Sequence, residues 1–202
     1  MNPVAVSRAL DFAQEVLATA REGEFVETFV QTATTTKVSF EANKLKDATV
    51  REARGLMVRM RDASGRPGSF ATSDFSDPSA TLAMARNLAS LGDPADFEPQ
   101  STYAPAAVDT APALLAGRSA SDLVADGEAL IAQLQAALPA GLHALELFHT
   151  ECSFELGNSA GAQARYGHTE EAGYLVTSVT RPDDQLEAYE LYQSTAEGVD
   201  YA

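Results

Sequence analysis

The chain has a single cysteine, few basic residues and no long apolar run, and each shortage closes off a class of protein. Cys152 is the only cysteine among 202 residues, so no internal disulfide can form. Its neighbours Glu151, Ser153 and Phe154 supply no positive charge to lower the thiol pKa. A reduced, cytoplasmic setting is the expectation. Lys and Arg number 14 against 29 Asp and Glu, a formal net charge of −15. A surface this acidic repels phosphate backbones and anionic lipid, so neither direct nucleic-acid binding nor membrane association is expected. No apolar stretch approaches the roughly 18 residues needed to cross a bilayer. Residues 1–8 also lack the basic-then-apolar order of an export signal.

With 45% hydrophobic, 21% charged and 7% aromatic residues, the chain can build a sizeable core, in one large domain or two small ones. From Pro3 to Arg21, Val6, Leu10, Ala13, Val16, Leu17 and Ala20 recur at helical spacing, with Asn2 as candidate cap and Gly23 as stop. Period-two segments follow at residues 24–31, 34–41, 44–54, 55–61 and 66–72. Asp62-Ala63-Ser64-Gly65 supplies the turn residues of a hairpin, and Gly55, Gly65 and Gly68 are assigned to turns. Asp77-Pro78 reads as an N-cap with a first-turn proline, opening a helix that ends near Gly92.

Pro94, Pro99, Pro105 and Pro112 mark a connector over residues 92–117. A second long helix fits Ser121 to Leu138. Beyond it the apolar parity changes from Leu145 and Leu147 to Phe148, Thr150, Cys152 and Phe154, predicting a bulge or break near Phe148. Residues 157–161 form a compact turn in which Gly161 permits positive φ. Candidate strands at 162–168, 173–180 and 185–193 flank a second turn at Arg181-Pro182-Asp183-Asp184. The expected fold is α/β (α+β), with mainly antiparallel or mixed sheets, three long helices and a helix-then-strands order in each half. The expected organisation is a helix-sheet-helix unit at 1–91, the connector at 92–117 and a helix with antiparallel strands at 118–202. No residue-level repeat relates the halves.

Three ordered runs, Val38-Ser39-Phe40-Glu41-Ala42-Asn43-Lys44-Leu45-Lys46, Arg54-Gly55-Leu56-Met57-Val58-Arg59-Met60 and Gly65 to Asp74, resemble the amino-terminal region of the TldD/PmbA proteins, also called modulators of DNA gyrase or peptidase family U62. Phe154-Glu155-Leu156-Gly157-Asn158-Ser159-Ala160-Gly161 is similar to the family's strand leading into an Asn-Ser-x-Gly turn. The resemblance implies cytoplasmic metalloproteases and their paralogues, dimers around a protected chamber, with an identical or paralogous subunit and unfolded peptides as partners. For the zinc-bearing subunit it also implies a His-Glu-x-x-x-His motif in a carboxy-terminal domain, while the paralogue is metal-free, and this sequence does not choose between the two parents. His143, His149 and His168 are each followed by something other than Glu, so this chain is expected to be an amino-terminal domain with no metal or catalytic residue of its own.

The residues themselves offer little independent chemistry. His149-Thr150-Glu151-Cys152 in a strand would place His149 and Glu151 on one face and Cys152 on the other, so the trio reads as a buried Cys with an exposed His and Glu. His168-Thr169-Glu170-Glu171 reads as a solvated hairpin turn. Ser159 is the one tempting nucleophile, but Asn158 and Ser159 are explained as turn chemistry. Gly65-Arg66-Pro67-Gly68 lacks the ending of a phosphate loop. Arg51, Arg54, Arg59, Arg61 and Arg66 concentrate positive charge, and parity places Arg59 and Arg61 on one face. Arg59, Arg61, Asn158 and Ser159 are therefore the candidate substrate or partner contacts, against a solvated face balanced by Glu52 and Asp62. Two functions follow: a scaffold for substrate access and subunit association in a protease, or an acidic peptide- or protein-binding module without catalytic activity.

Overall fold

The computed structural model describes residues 3–95, 100–104 and 115–194. Three helices and six strands occur among them: α1 Pro3–Ala18, β1 Phe25–Glu41, β2 Lys44–Arg61, β3 Pro67–Thr72, α2 Pro78–Ala89, α3 Ala120–Ala137, β4 Leu142–Asn158, β5 Gln163–Arg181 and β6 Asp184–Ser194. The strands hydrogen-bond in the order β3-β2-β1-β4-β5-β6. β2 meets β3 antiparallel from Leu56↔Thr72 to Arg61↔Pro67, and β5 meets β6 antiparallel from Glu171↔Ser194 to Arg181↔Asp184. The α/β class with three helices and antiparallel pairing is the one expected. Asn2, the proposed cap, and connector residues 96–99 and 105–114 lie outside the described residues.

The chain forms two compact units that alternate along the sequence. The first takes Met1–Ala33, Ala53–Val108 and Cys152–Tyr166; the second takes Thr34–Glu52, Asp109–Glu151 and Gly167–Ala202. In the first unit, Ala9, Phe12, Ala13 and Val16 of α1 and Leu82, Ala85 and Ala89 of α2 form one core with Val26, Val30, Leu56, Val58 and Met60. Their three- and four-residue helical spacing and two-residue strand spacing turn one face of each element inward. α1 stops at Ala18, earlier than Arg21, with Thr19 Oγ1 donating to the Val16 carbonyl at 2.8 Å. α2 opens as expected, with Asp77 Oδ1 accepting from Ala80 N at 2.9 Å and Pro78 at its first turn.

Two glycines assigned to turns lie inside strands. Gly55 is within the continuous β2, because backbone pairing carries the strand past the side-chain break that suggested a turn. Gly68 is buried in β3, where a Cβ would stand 2.1 Å from the Ala85 carbonyl oxygen and 2.5 Å from Ala89 N. It is a point of direct contact between strand and helix backbones. Gly65 does turn the chain, at φ +83°, while Asp62 Oδ1 accepts from Ser64 N and Arg66 N at 2.8 and 2.9 Å.

The first unit also contains a half-buried ion pair. Arg86, in the last turn of α2, donates to both carboxylate oxygens of Glu24 at 2.7 and 2.9 Å and to the Thr19 carbonyl at 2.9 Å. The hydrogen bond from Arg86 lowers the Glu24 pKa against the opposing effect of burial, with help from the Arg21 backbone N–H. A carboxyl whose folded pKa is depressed stabilises the fold above its unfolded value, about 4.3, and loses that contribution as pH falls through the folded value. Arg86→Met should therefore cost roughly 1.5–3 kcal/mol at pH 7. The difference from wild type in urea midpoint should shrink on acidification below pH ~4; a difference independent of pH would contradict this account.

In the second unit, Leu123, Leu130 and Ile131 of α3 pack with Val38, Phe40, Leu145 and Leu147. α3 begins at Ala120, capped by Ser119: its Oγ accepts from Asp122 N, and Asp122 Oδ2 accepts from Ser119 N at 2.8 Å. β1 turns into β2 through Ala42 and Asn43, at φ 48° and 68°, the left-handed pair of a type I′ hairpin. Asn43 then bonds the start of β4, its Oδ1 accepting from His143 N at 2.8 Å and its Nδ2 donating to the Gly141 carbonyl at 3.0 Å. β4 runs through Phe148 without a break; His143, Leu145, Leu147 and His149 are buried in alternation, which ends there, residues 150–156 all being half-buried.

Candidate functional site

Helices α1 and α2 pack on one face of the strands in the first unit, and Tyr103 of the connector lies against the other. Arg59 and Arg61 project there, alternating with buried Leu56, Val58 and Met60. Arg59 Nη2 donates to Glu27 Oε1 at 2.5 Å, and the other Glu27 oxygen accepts from Tyr103 Oη at 2.6 Å. Burial and then the hydrogen bond to Glu27 raise the Tyr103 pKa, so the phenol acts as a proton donor. Arg54 stacks on Phe75 at 5.1 Å, and Arg66 reaches the Ser90 carbonyl. Glu27, remote in sequence, is the counter-charge facing Arg59; Glu52 and Asp62 had been expected to balance this stretch. Nearby aromatic rings stack: Phe154 lies 4.7 Å from Tyr166 and 5.5 Å from Phe29.

Asn158 and Ser159 hold the turn that closes β4. Asn158 is buried; its Oδ1 accepts from Ala160 N and Ala162 N, both at 3.0 Å. Its Nδ2 donates to the Gln100 carbonyl at 2.8 Å and Tyr103 Oη at 3.1 Å. Ser159 Oγ accepts from Val26 N at 3.0 Å, and Ser159 N donates to the Val26 carbonyl at 2.8 Å. These bonds fix β4 to β1 and commit the hydroxyl oxygen to backbone. Gly161, at φ +93°, completes the turn.

The second unit carries a trough of about 580 Å³ lined by charges of both signs. Lys37 Nζ pairs with Glu146 Oε1 at 2.6 Å and sits 5.2 Å from the Phe148 ring, while Lys46 pairs with Glu41. Asp47, Arg51 and Tyr174 line the same trough. Paired cations and anions beside an aromatic ring can orient a polar, partly apolar chain.

Two sequence expectations fail. His149 is buried and Cys152 is only half-buried, and residues 168–171 lie within β5, where Thr169 and Glu171 are buried. Arg118 supplies the counter-charge for the buried Glu171: its Nη1 lies 2.9 Å from Glu171 Oε1, and its Nη2 pairs with Asp126. His149 Nδ1 lies 3.4 Å from Glu171 Oε1, and its Nε2 lies 3.7 Å from Glu151 Oε1. The two carboxylates face opposite ring nitrogens and do not converge on one point, while Arg118 occupies Glu171, so the cluster does not fit zinc. Among the described residues no group of three or more His, Cys, Asp or Glu is arranged to hold a metal. His143 is a separate buried histidine, with Nδ1 2.8 Å from Thr177 Oγ1; burial lowers its pKa.

No helix among the described residues is long and apolar enough to cross a membrane. No family profile and no curated protein matches the sequence. Solved structures do match. A candidate modulator of a DNA gyrase from Thermotoga maritima superposes with a TM-score of 0.75 at 10% identity, over 93% of this chain and 43% of that one. TldE from Thermococcus kodakarensis gives 0.71 at 14% identity, over 95% and 43%. A candidate modulator of DNA gyrase from Bacteroides thetaiotaomicron gives 0.72 at 14% identity, over 96% and 46%. The chain thus spans less than half the length of the proteins it matches, and over nearly all of its own length it has the fold found in these gyrase-modulator and TldE structures.

Proposed function

We propose that the chain is a non-catalytic scaffold domain of a TldD/TldE-type protein, providing subunit association and a surface for peptide access to a metalloprotease centre carried elsewhere. The observation that supports it most is a fold shared over at least 93% of this chain with proteins more than twice as long. The commitment of Asn158 and Ser159 to backbone bonds supports the non-catalytic part. The helix-free surface and the trough pair charges of both signs, which suits an unfolded peptide of mixed composition better than a purely cationic ligand. In this reading the protein works in the cytoplasm, zinc belongs to the other domain, and neither nucleic acid nor membrane is a direct partner. Incubated with zinc and an unfolded polypeptide, the chain should give no chelator-sensitive cleavage. Cleavage abolished by chelator and restored by zinc would overturn the proposal.

A further inference from the structure

His149 is buried in the second unit, and neither of its ring nitrogens has a hydrogen-bond partner among the described residues. Each nitrogen instead faces a carboxylate oxygen, Nδ1 at 3.4 Å from Glu171 Oε1 and Nε2 at 3.7 Å from Glu151 Oε1. The two acids differ in freedom. Glu171 is buried on β5 and held by Arg118, which also pairs with Asp126 of α3. Glu151, on the same strand as His149, keeps 36% of its side chain exposed, and its Oε1 accepts from the Gly117 N–H at 3.2 Å. β1, on the other side of β4, brings Thr35, whose Oγ1 lies 3.2 Å from Thr150 Oγ1, and turns Lys37 to Glu146. Gly117 is the last residue of the connector; it has φ +71° and nothing within 4 Å of a would-be Cβ, so packing does little to hold it.

A neutral imidazole has one N–H and one lone pair, so it can donate to only one of two carboxylates. With its proton on Nδ1, aimed at the fixed Glu171, the ring turns its Nε2 lone pair toward Glu151, and lone pair and carboxylate repel. The imidazolium carries an N–H on each side and can donate to both acids. From this geometry we infer that His149 is a proton-operated latch for the end of the connector. A second proton, on Nε2, draws Glu151 and the Gly117 amide bonded to it against β4, and loss of that proton pushes them away. Closing the 3.7 Å gap to a hydrogen bond takes less than about 1 Å of movement, which the partly exposed Glu151 can make while Arg118 holds Glu171 in place. Because Gly117 and Arg118 lead directly into the Ser119 cap of α3, the latch sets how the connector enters the unit.

The latch does not depend on the scaffold role, and either can fail without the other. The test is amide hydrogen exchange at Gly117 in the 202-residue chain, with the intrinsic pH dependence of exchange divided out. Histidine side chains change charge between about pH 5 and 8, and across that range the protection of Gly117 should rise about threefold or more as the pH falls. Glu151→Gln keeps an oxygen for the Gly117 N–H but removes the charge, and His149→Gln removes the proton-binding ring; in both, protection should stay constant over the same range. His143 and His168 are present in both variants, so a pH dependence arising from either would survive. Glu151 is partly exposed, so Glu151→Gln disturbs no core packing and decides the question even if His149→Gln does not fold. Gly117 protection that is the same at both ends of the range in the parent chain would overturn the latch, as would a pH dependence that persists in Glu151→Gln.

Discussion

Gly68→Val should unfold at a much lower urea concentration than the parent, a loss of about 3 kcal/mol or more, at the upper end of the range for overpacking a core. The added Cβ alone would stand 2.1 Å from the Ala85 carbonyl oxygen, 2.5 Å from Ala89 N and 2.9 Å from Ala89 Cα. All three are backbone atoms of α2, so no side chain can rotate away and the helix itself must lift from β3. Ala85 and Ala89, one helical turn apart and fully buried, show that the contact is built from small residues on both sides. Gly161→Ala is the useful contrast. Gly161 has φ +93° and nothing within 4 Å of a would-be Cβ, so only the left-handed backbone penalty applies, about 1–2 kcal/mol. Equal losses for the two variants, measured by urea denaturation, would show that steric contact at Gly68 is not the controlling effect.

The second large effect is expected at Arg118. Its guanidinium faces Glu171, whose side chain is 5% exposed, and the partly exposed Asp126. Arg118→Met keeps most of the aliphatic stem but leaves the Glu171 carboxylate buried without its cation, a situation that typically costs about 3–5 kcal/mol. Arg118→Met combined with Glu171→Met removes the stranded charge as well and should recover a large part of that loss, because an apolar pair of similar volume can replace a buried ion pair at little cost. Thermal or urea unfolding of the two single variants and the double variant completes the cycle. Strictly additive losses would mean that Arg118 and Glu171 stabilise the unit separately.

Local signals in the sequence located most elements, and what they missed depended on distant partners. Asp77-Pro78 and Asp62 to Gly65 carry their own cap and turn chemistry, and both form as written. The start of α3 was readable too: Ser119 and Asp122 have the spacing of a capping box, a signal that an onset at Ser121 passes over. Strand continuity was harder. Thr28, Thr32 and Thr36 are buried along β1, where a polar residue looks like a strand end; Thr28 shows why it is not, its hydroxyl donating to the Gly157 carbonyl at 3.3 Å. Likewise Glu171 resembles a turn residue until Arg118, 53 positions earlier, neutralises it.

The candidate site followed the same division. Parity placed Arg59 and Arg61 on one face, and Asn158-Ser159 read as a turn, because both inferences need only neighbouring residues. Glu27, Tyr103 and the pairing of Asn158 with Tyr103 come from elsewhere in the chain, and no local pattern announces them. The same holds for Gly68, where two glycines flanking Arg66-Pro67 suggested a turn while α2 supplied the true constraint.

The most direct test of the scaffold role is the intact mass of the protein isolated from its native source, set against the 21.3 kDa of this chain. The account predicts a substantially larger protein in which this chain is one part, with zinc ligands in the remainder. A native mass of 21.3 kDa would contradict it and make the chain a binding module that acts without a protease domain.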